Sequence, residues 1–333
     1  MRKRRLVFLC LLSLNGSLLA QRTTATKATY IPSTVIDGRF YIKIPVANGD
    51  TLLAFCDTGG GYNAIYPAVI AKLHLEDKVL ETDVHGTKVK YIPASELVTG
   101  GLIPFPHINP SYKPPIQVPF FQIAGDDMET KIITSYIPHD VFLGQFFFIG
   151  HSWTFNYPKG KIYINTPLSS KTTFKNMQRL GFKKDTAGNK LFGHPSMQVE
   201  IDGQVIDVLF DTGASILLNE ITQAKLKIRS KSMAGSFIAK SIFDKWRLQH
   251  PDWRYIEKGE ITGADLIQVP TVKVGNTMTG PVWFAKRPDE AWSKGMIQSM
   301  DKVVKGAVGG SLFQYFTVTI DYNSELASFE KAK

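Results

Sequence analysis

Apolar and polar residues alternate through "FYIKIPVANGDTLLAFCD" (residues 40–57) and again through "SMQVEIDGQVIDVLFD" (residues 196–211). A period of two predicts β-strands with one face toward a core. Each run is broken once by a turn dipeptide, Asn48-Gly49 or Asp202-Gly203, so each predicts a hairpin. In both, the turn glycine precedes an aspartate by eight residues, Asp57 in the first and Asp211 in the second. The period then changes. "PAVIAKLHL" (67–75) and "EITQAKLKI" (220–228) read as short amphipathic helices that share Ala-Lys-Leu.

The correspondence continues further on. "FLGQFFFIGHSWTFNYPKGKIYI" starts at Phe142 and "AVGGSLFQYFTVTIDYNSELASF" at Ala307. Aligning Gly144 with Gly309 places Thr154 on Thr319, Asn156 on Asp321 and Tyr157 on Tyr322 without a gap. The chain thus reads as a duplication of one mostly-β unit. The expected divisions are an N-terminal lobe over 21–165 carrying Asp57, a linker over 166–195, and a C-terminal lobe over 196–333 carrying Asp211. Within the linker, "FKNMQRLGF" (174–182) reads as a short helical stretch. Two loop-rich inserts, 101–120 and 243–263, distinguish the lobes. "MIQSMDKVV" (296–304) reads as a helix with Met296, Met300 and Val303 on one face.

The first twenty residues stand apart. "MRKRR" is a basic start, "LVFLCLLSL" an apolar run too short to span a bilayer, and "NGSLLA" a candidate cleavage region ending at Ala20. This is the pattern of a signal peptide, and it predicts a secreted or periplasmic protein with no stable membrane span. Four of the 39 basic residues lie there, leaving 35 against 29 acidic residues, or +6. That charge is spread along the chain, and no nucleic-acid-binding motif accompanies it. After removal of the segment only Cys56 remains, so no internal disulfide forms and the core must supply the stability. Cys56 reads as a small buried apolar residue.

The chemistry resides in the repeated tripeptide Asp-Thr-Gly, at Asp57, Thr58 and Gly59 and again at Asp211, Thr212 and Gly213. A lone copy is a common turn sequence. Two copies, each after an apolar strand in duplicated units, place two carboxylates where they can meet. Carboxylates a hydrogen bond apart share a proton, since ionising both is costly. The ionised member then takes a proton from water while the protonated member polarises a carbonyl. Nothing in that chemistry calls for a metal or organic cofactor. The seven histidines show no metal-ligand spacing. The glycines at 59–61 lack the rest of a phosphate-loop motif. The tryptophans Trp246, Trp253, Trp283 and Trp292 are read as core residues rather than groove residues.

On these loops and the segments "FLG" (142–144) and "AVG" (307–309), the chain resembles a two-lobed aspartic protease of the retropepsin-like and pepsin-like superfamily. "FDTGAS" at 210–215 is similar to the retropepsin form, and the covalent joining of two lobes to the pepsin-like form. The resemblance implies a bilobal acid-protease fold, with two homologous β-barrel-like lobes about a pseudo-two-fold axis. It implies Asp57 and Asp211 as the catalytic pair, Thr58 and Thr212 as an inter-lobe hydrogen-bond grip, and Gly59 and Gly213 as loop amides. It implies a peptide or protein substrate held under a β-hairpin flap, for which 84–96 with Tyr91 is the candidate, and a monomer. Two features depart from the family. Gly60 stands where pepsin-like enzymes place Ser or Thr, and the Ala-Lys-Leu helix starts one residue later after Asp57 than after Asp211. A catalytically weak or inactive pepsin-fold protein that binds a peptide or protein partner is the alternative these departures raise.

Overall fold

The computed structural model describes residues 28–331 other than 48, 85, 111–115, 126, 166–167 and 169–175. The segment read as a signal peptide lies outside the described residues. The protein is mostly β, in sheets of eight, nine, six and two strands. Both predicted hairpins are present. Arg39–Pro45 pairs antiparallel with Thr51–Cys56, and Ser196–Ile201 with Gln204–Phe210. Asp202 and Gly203 both take positive φ, 52° and 72°, the primed turn that matches the twist of adjoining strands.

Each strand leading to an aspartate has a second neighbour from far along the chain. Thr51–Cys56 runs parallel to Val141–Leu143, and Gln204–Phe210 runs parallel to Gly306–Val308. Such a strand is central in its sheet, and both of its faces are packed near the aspartate: Ala54, Cys56, Val208 and Phe210 lie in the main core, Phe55 and Leu209 in clusters on the other side. Ala54, Phe55 and Cys56 are all buried, as are Val208, Leu209 and Phe210. The eight-stranded sheet is built from the N-terminal half and the nine-stranded sheet from the C-terminal half. Both run as open series of strands, so the barrel-like closure expected from the resemblance is not found among the described strands.

The six-stranded sheet draws on both halves. At its centre Ser152–Asn156 pairs antiparallel with Phe316–Asp321, with Thr154 opposite Thr319. Their hydroxyls are 2.8 Å apart and buried. The two positions matched by the repeat are therefore the two that the sheet pairs.

Several expectations are corrected. Within 174–182, Met177–Arg179 is not helical; it is an edge strand on Leu326–Lys331, where period-two pairing outweighs weak helical periodicity. The 243–263 segment opens inside a helix, Lys240–Gln249, whose Phe243 and Trp246 are buried. At 296–304 one tight turn, Met296–Gln298, replaces the longer helix; Met300 is buried but Val303 is exposed. The helices Pro67–Leu73 and Glu220–Leu226 both form, but in different surroundings. In the N-terminal half, Ala64–Ile65 leaves the loop and pairs directly with Val141–Leu143. In the C-terminal half, Ser215–Leu217 instead pairs with Ser232–Ala234, and Ser236–Ala239 takes the place beside Gly306–Val308. Helix Glu220–Leu226 lies inside that excursion.

Candidate active site

The two aspartates leave their strands in the same way. The Asp57 N–H donates to the Leu143 carbonyl at 2.9 Å, and the Asp211 N–H donates to the Val308 carbonyl at 3.0 Å. Each loop then folds back on its own carboxylate. The Gly59 N–H donates to Asp57 Oδ1 at 3.0 Å, and the Gly213 N–H donates to Asp211 Oδ1 at 2.9 Å.

The loops are joined by four reciprocal bonds. The Thr58 N–H donates to Thr212 Oγ1 at 3.1 Å, and the Thr212 N–H to Thr58 Oγ1 at 3.0 Å. Each hydroxyl donates onward to a carbonyl of the opposite strand. Thr58 reaches Phe210 O at 3.1 Å, and Thr212 reaches Cys56 O at 2.9 Å. Both threonines are fully buried, so each hydroxyl uses its donor and acceptor capacity on the other loop.

The grip brings the carboxylates face to face. A Cβ on Gly59 would stand 2.4 Å from Asp211 Cγ, and one on Gly213 would stand 2.2 Å from Asp57 Cγ. Glycine is required at both positions because each backbone abuts the opposite carboxylate. Each carboxyl lies close enough to act on the ionisation of the other. Burial raises the pKa of both. For Asp57 the neighbouring Asp211 raises it further, well above the ordinary 3.8. Backbone N–H groups of Gly59 and Gly60 act in the opposite direction, stabilising the Asp57 carboxylate. Neighbouring carboxyls of this kind titrate together rather than independently.

Gly60 has a steric cause. A Cβ there would meet the Phe142 ring at 2.4 Å, so the aromatic residue occupies the space of a side chain. Ser215, after the second loop, donates to its own Gly213 carbonyl at 2.7 Å and accepts from Arg39 Nη1 at 3.1 Å. The candidate flap is an antiparallel hairpin, Leu80–Val84 with Thr87–Pro93. Tyr91 does not stand free above the carboxylates; it is buried, packed edge-on against Phe120 and clustered with Ile116. Cys56 is buried, and burial pushes its thiol pKa up, which keeps the sulfur protonated and inert.

Three contributors carry no sequence signal of their own. Asn63 Oδ1 accepts from the Gly144 N–H at 3.0 Å, and Ser236 Oγ from the Gly309 N–H at 3.2 Å. They play matching parts on segments that do not match in sequence position. The third is His194, whose Nε2 lies 3.0 Å from the Gly60 carbonyl. Among the described residues no group of three or more His, Cys, Asp or Glu side chains could hold a metal ion. No described helix is long and apolar enough to cross a membrane.

No protein-family model matches the chain, and no curated protein does. Among solved structures it is similar to a retropepsin-like aspartic protease from Rickettsia conorii. That likeness has 15% identity and a TM-score of 0.26, over 46% of this chain and 89% of that one. It is too slight to assign chemistry, which rests on the geometry of the two loops.

Proposed function

We propose that the protein is an exported aspartic endopeptidase in which Asp57 and Asp211 activate a water molecule against a peptide bond. The observation that carries this reading is the pair of facing carboxylates, each held by its own glycine N–H and locked by the Thr58–Thr212 grip. With one proton between them, the ionised carboxylate removes a proton from water as it attacks the carbonyl carbon. The protonated one donates to the carbonyl oxygen. Their roles then reverse to protonate the leaving amine. We further infer a bilobal arrangement with a pseudo-two-fold axis, supported by the reciprocal grip and by the Thr154–Thr319 register. The substrate is a peptide or protein, the enzyme acts as a monomer with both halves in one chain, and its site of action is secreted or periplasmic.

A second reading is a peptide-binding protein on the same scaffold. It is favoured by Gly60, where the Phe142 ring leaves no room for a hydroxyl to orient Asp57. One experiment separates the two. The purified protein is incubated with a peptide library from pH 3 to 8, with and without a statine-type inhibitor. The enzyme reading predicts inhibitable cleavage that falls roughly 10²–10⁴-fold in Asp57→Asn and in Asp211→Asn. Peptide binding without turnover in the wild type would establish the binder.

A further inference from the structure

The tripeptide Gly193-His194-Pro195 touches both aspartate loops. The Pro195 carbonyl accepts from the Phe210 N–H at 2.9 Å, one residue before Asp211. The Gly193 N–H donates to Gln145 Oε1 at 2.6 Å, on the turn that follows Gly144. Between them His194 is buried, with Nε2 at 3.0 Å from the Gly60 carbonyl and Nδ1 at 2.8 Å from Ser299 Oγ. A carbonyl only accepts, so Nε2 carries a hydrogen, while Nδ1 meets the Ser299 hydroxyl, which also reaches the Met296 carbonyl at 3.2 Å. Burial pushes the imidazole pKa down to about 4, which favours the neutral ring.

The contact falls where the loop most needs restraint. Residues 59–61 are three consecutive glycines, which the backbone alone holds weakly. The helix that follows this loop also starts one residue later after its aspartate than its counterpart does. The Gly60 carbonyl accepts from the Gln145 N–H at 3.2 Å as well as from His194, which fills both of its lone pairs. The Gly60 N–H donates in turn to the backbone carbonyl of Asp57 at 3.1 Å, and a Cβ on Gly60 would lie 3.0 Å from Asp57 Cγ. Fixing the carbonyl of Gly60 thus limits how far the Asp57 backbone and the carboxyl packed beside Gly60 can move.

We propose that His194 is a positioning residue for Asp57, holding the triple-glycine loop in register against the Asp211 strand through its bond to the Gly60 carbonyl. This rests on the peptidase reading, so its test combines kinetics with a measurement independent of turnover. His194→Ala and His194→Gln are compared with wild type; the glutamine amide offers a donor at similar reach. Steady-state kinetics are measured beside hydrogen exchange of a fragment spanning residues 56–63. In His194→Ala, kcat is expected to fall about 10- to 100-fold with KM within about twofold, because misplacement near the chemistry affects the transition state most. Exchange in the loop is expected to quicken, and His194→Gln to restore most of both. Unchanged kcat and unchanged exchange in His194→Ala would overturn the proposal, as would an equal loss in both variants. If wild type cleaves no peptide, the peptidase reading fails while the exchange arm still decides the role of His194. Should His194→Ala not fold, Ser299→Ala, which removes the imidazole's hydroxyl partner, decides instead. Quicker loop exchange in that variant supports the proposal and unchanged exchange overturns it.

Discussion

At the scale of single residues, two carboxylates are held in conditions that oppose their charge, and stability must reflect it. Burial raises both pKa values above the unfolded value of 3.8, and for Asp57 the neighbouring Asp211 raises it further. A carboxyl whose pKa is raised on folding binds its proton more tightly in the folded state. Its favourable contribution is complete below 3.8 and is lost as pH rises from there through the raised value. Removing one charge should therefore help most when the pair is ionised. Asp57→Asn is expected to raise Tm at pH 7 and to change it little at pH 3, which thermal melts across that range would show. A variant less stable than wild type at pH 7 would mean that the pair is not strained. The aspartates, threonines and glycines were legible because their chemistry demands those residue types side by side, twice. Asn63, Ser236 and His194 were not, because each acts on a loop that is distant in sequence and reaches it only through folding.

At the scale of elements, what the sequence shows is local and what it hides is pairing. The hairpins 39–56 and 196–210 follow from alternation and a turn dipeptide, both contained within a short window. The rerouting of Ser215–Leu217 onto Ser232–Ala234 has no such signal, since both segments are short and apolar enough to pair with several partners. The edge strand Met177–Arg179 is likewise defined by Leu326–Lys331 rather than by its own sequence. The Thr154–Thr319 pair tests the central sheet directly. Thr154→Val leaves the buried Thr319 hydroxyl unpartnered and should cost roughly 1–3 kcal/mol. The double variant Thr154→Val/Thr319→Val should cost less than the two single variants together, because no orphaned hydroxyl remains. Chemical denaturation of the four proteins gives the comparison, and strict additivity would show that the hydroxyls do not interact.

At the scale of the whole molecule, the two halves are joined at several levels. The threonine grip lies at the carboxylates, the Gly193–Pro195 bracket beside them, and the shared sheet holds the Thr154–Thr319 pair. Arg39 adds a further link. Its buried guanidinium contacts Asp37 at 3.3 Å in its own half and Ser215 at 3.1 Å in the other. A repeat states which residues correspond without stating which ones touch, so the Gly193–Pro195 bracket and the Arg39 link could not be read from it. Thr58–Thr212 and Thr154–Thr319 differ, because there corresponding residues are also paired.

The shared proton is most directly tested by following the carbon-13 resonances of the aspartate carboxyls as a function of pH. For Asp57 and Asp211 the expected result is a pair of linked ionisations, the second lying well above 3.8. Two independent titrations, both close to 3.8, would contradict it.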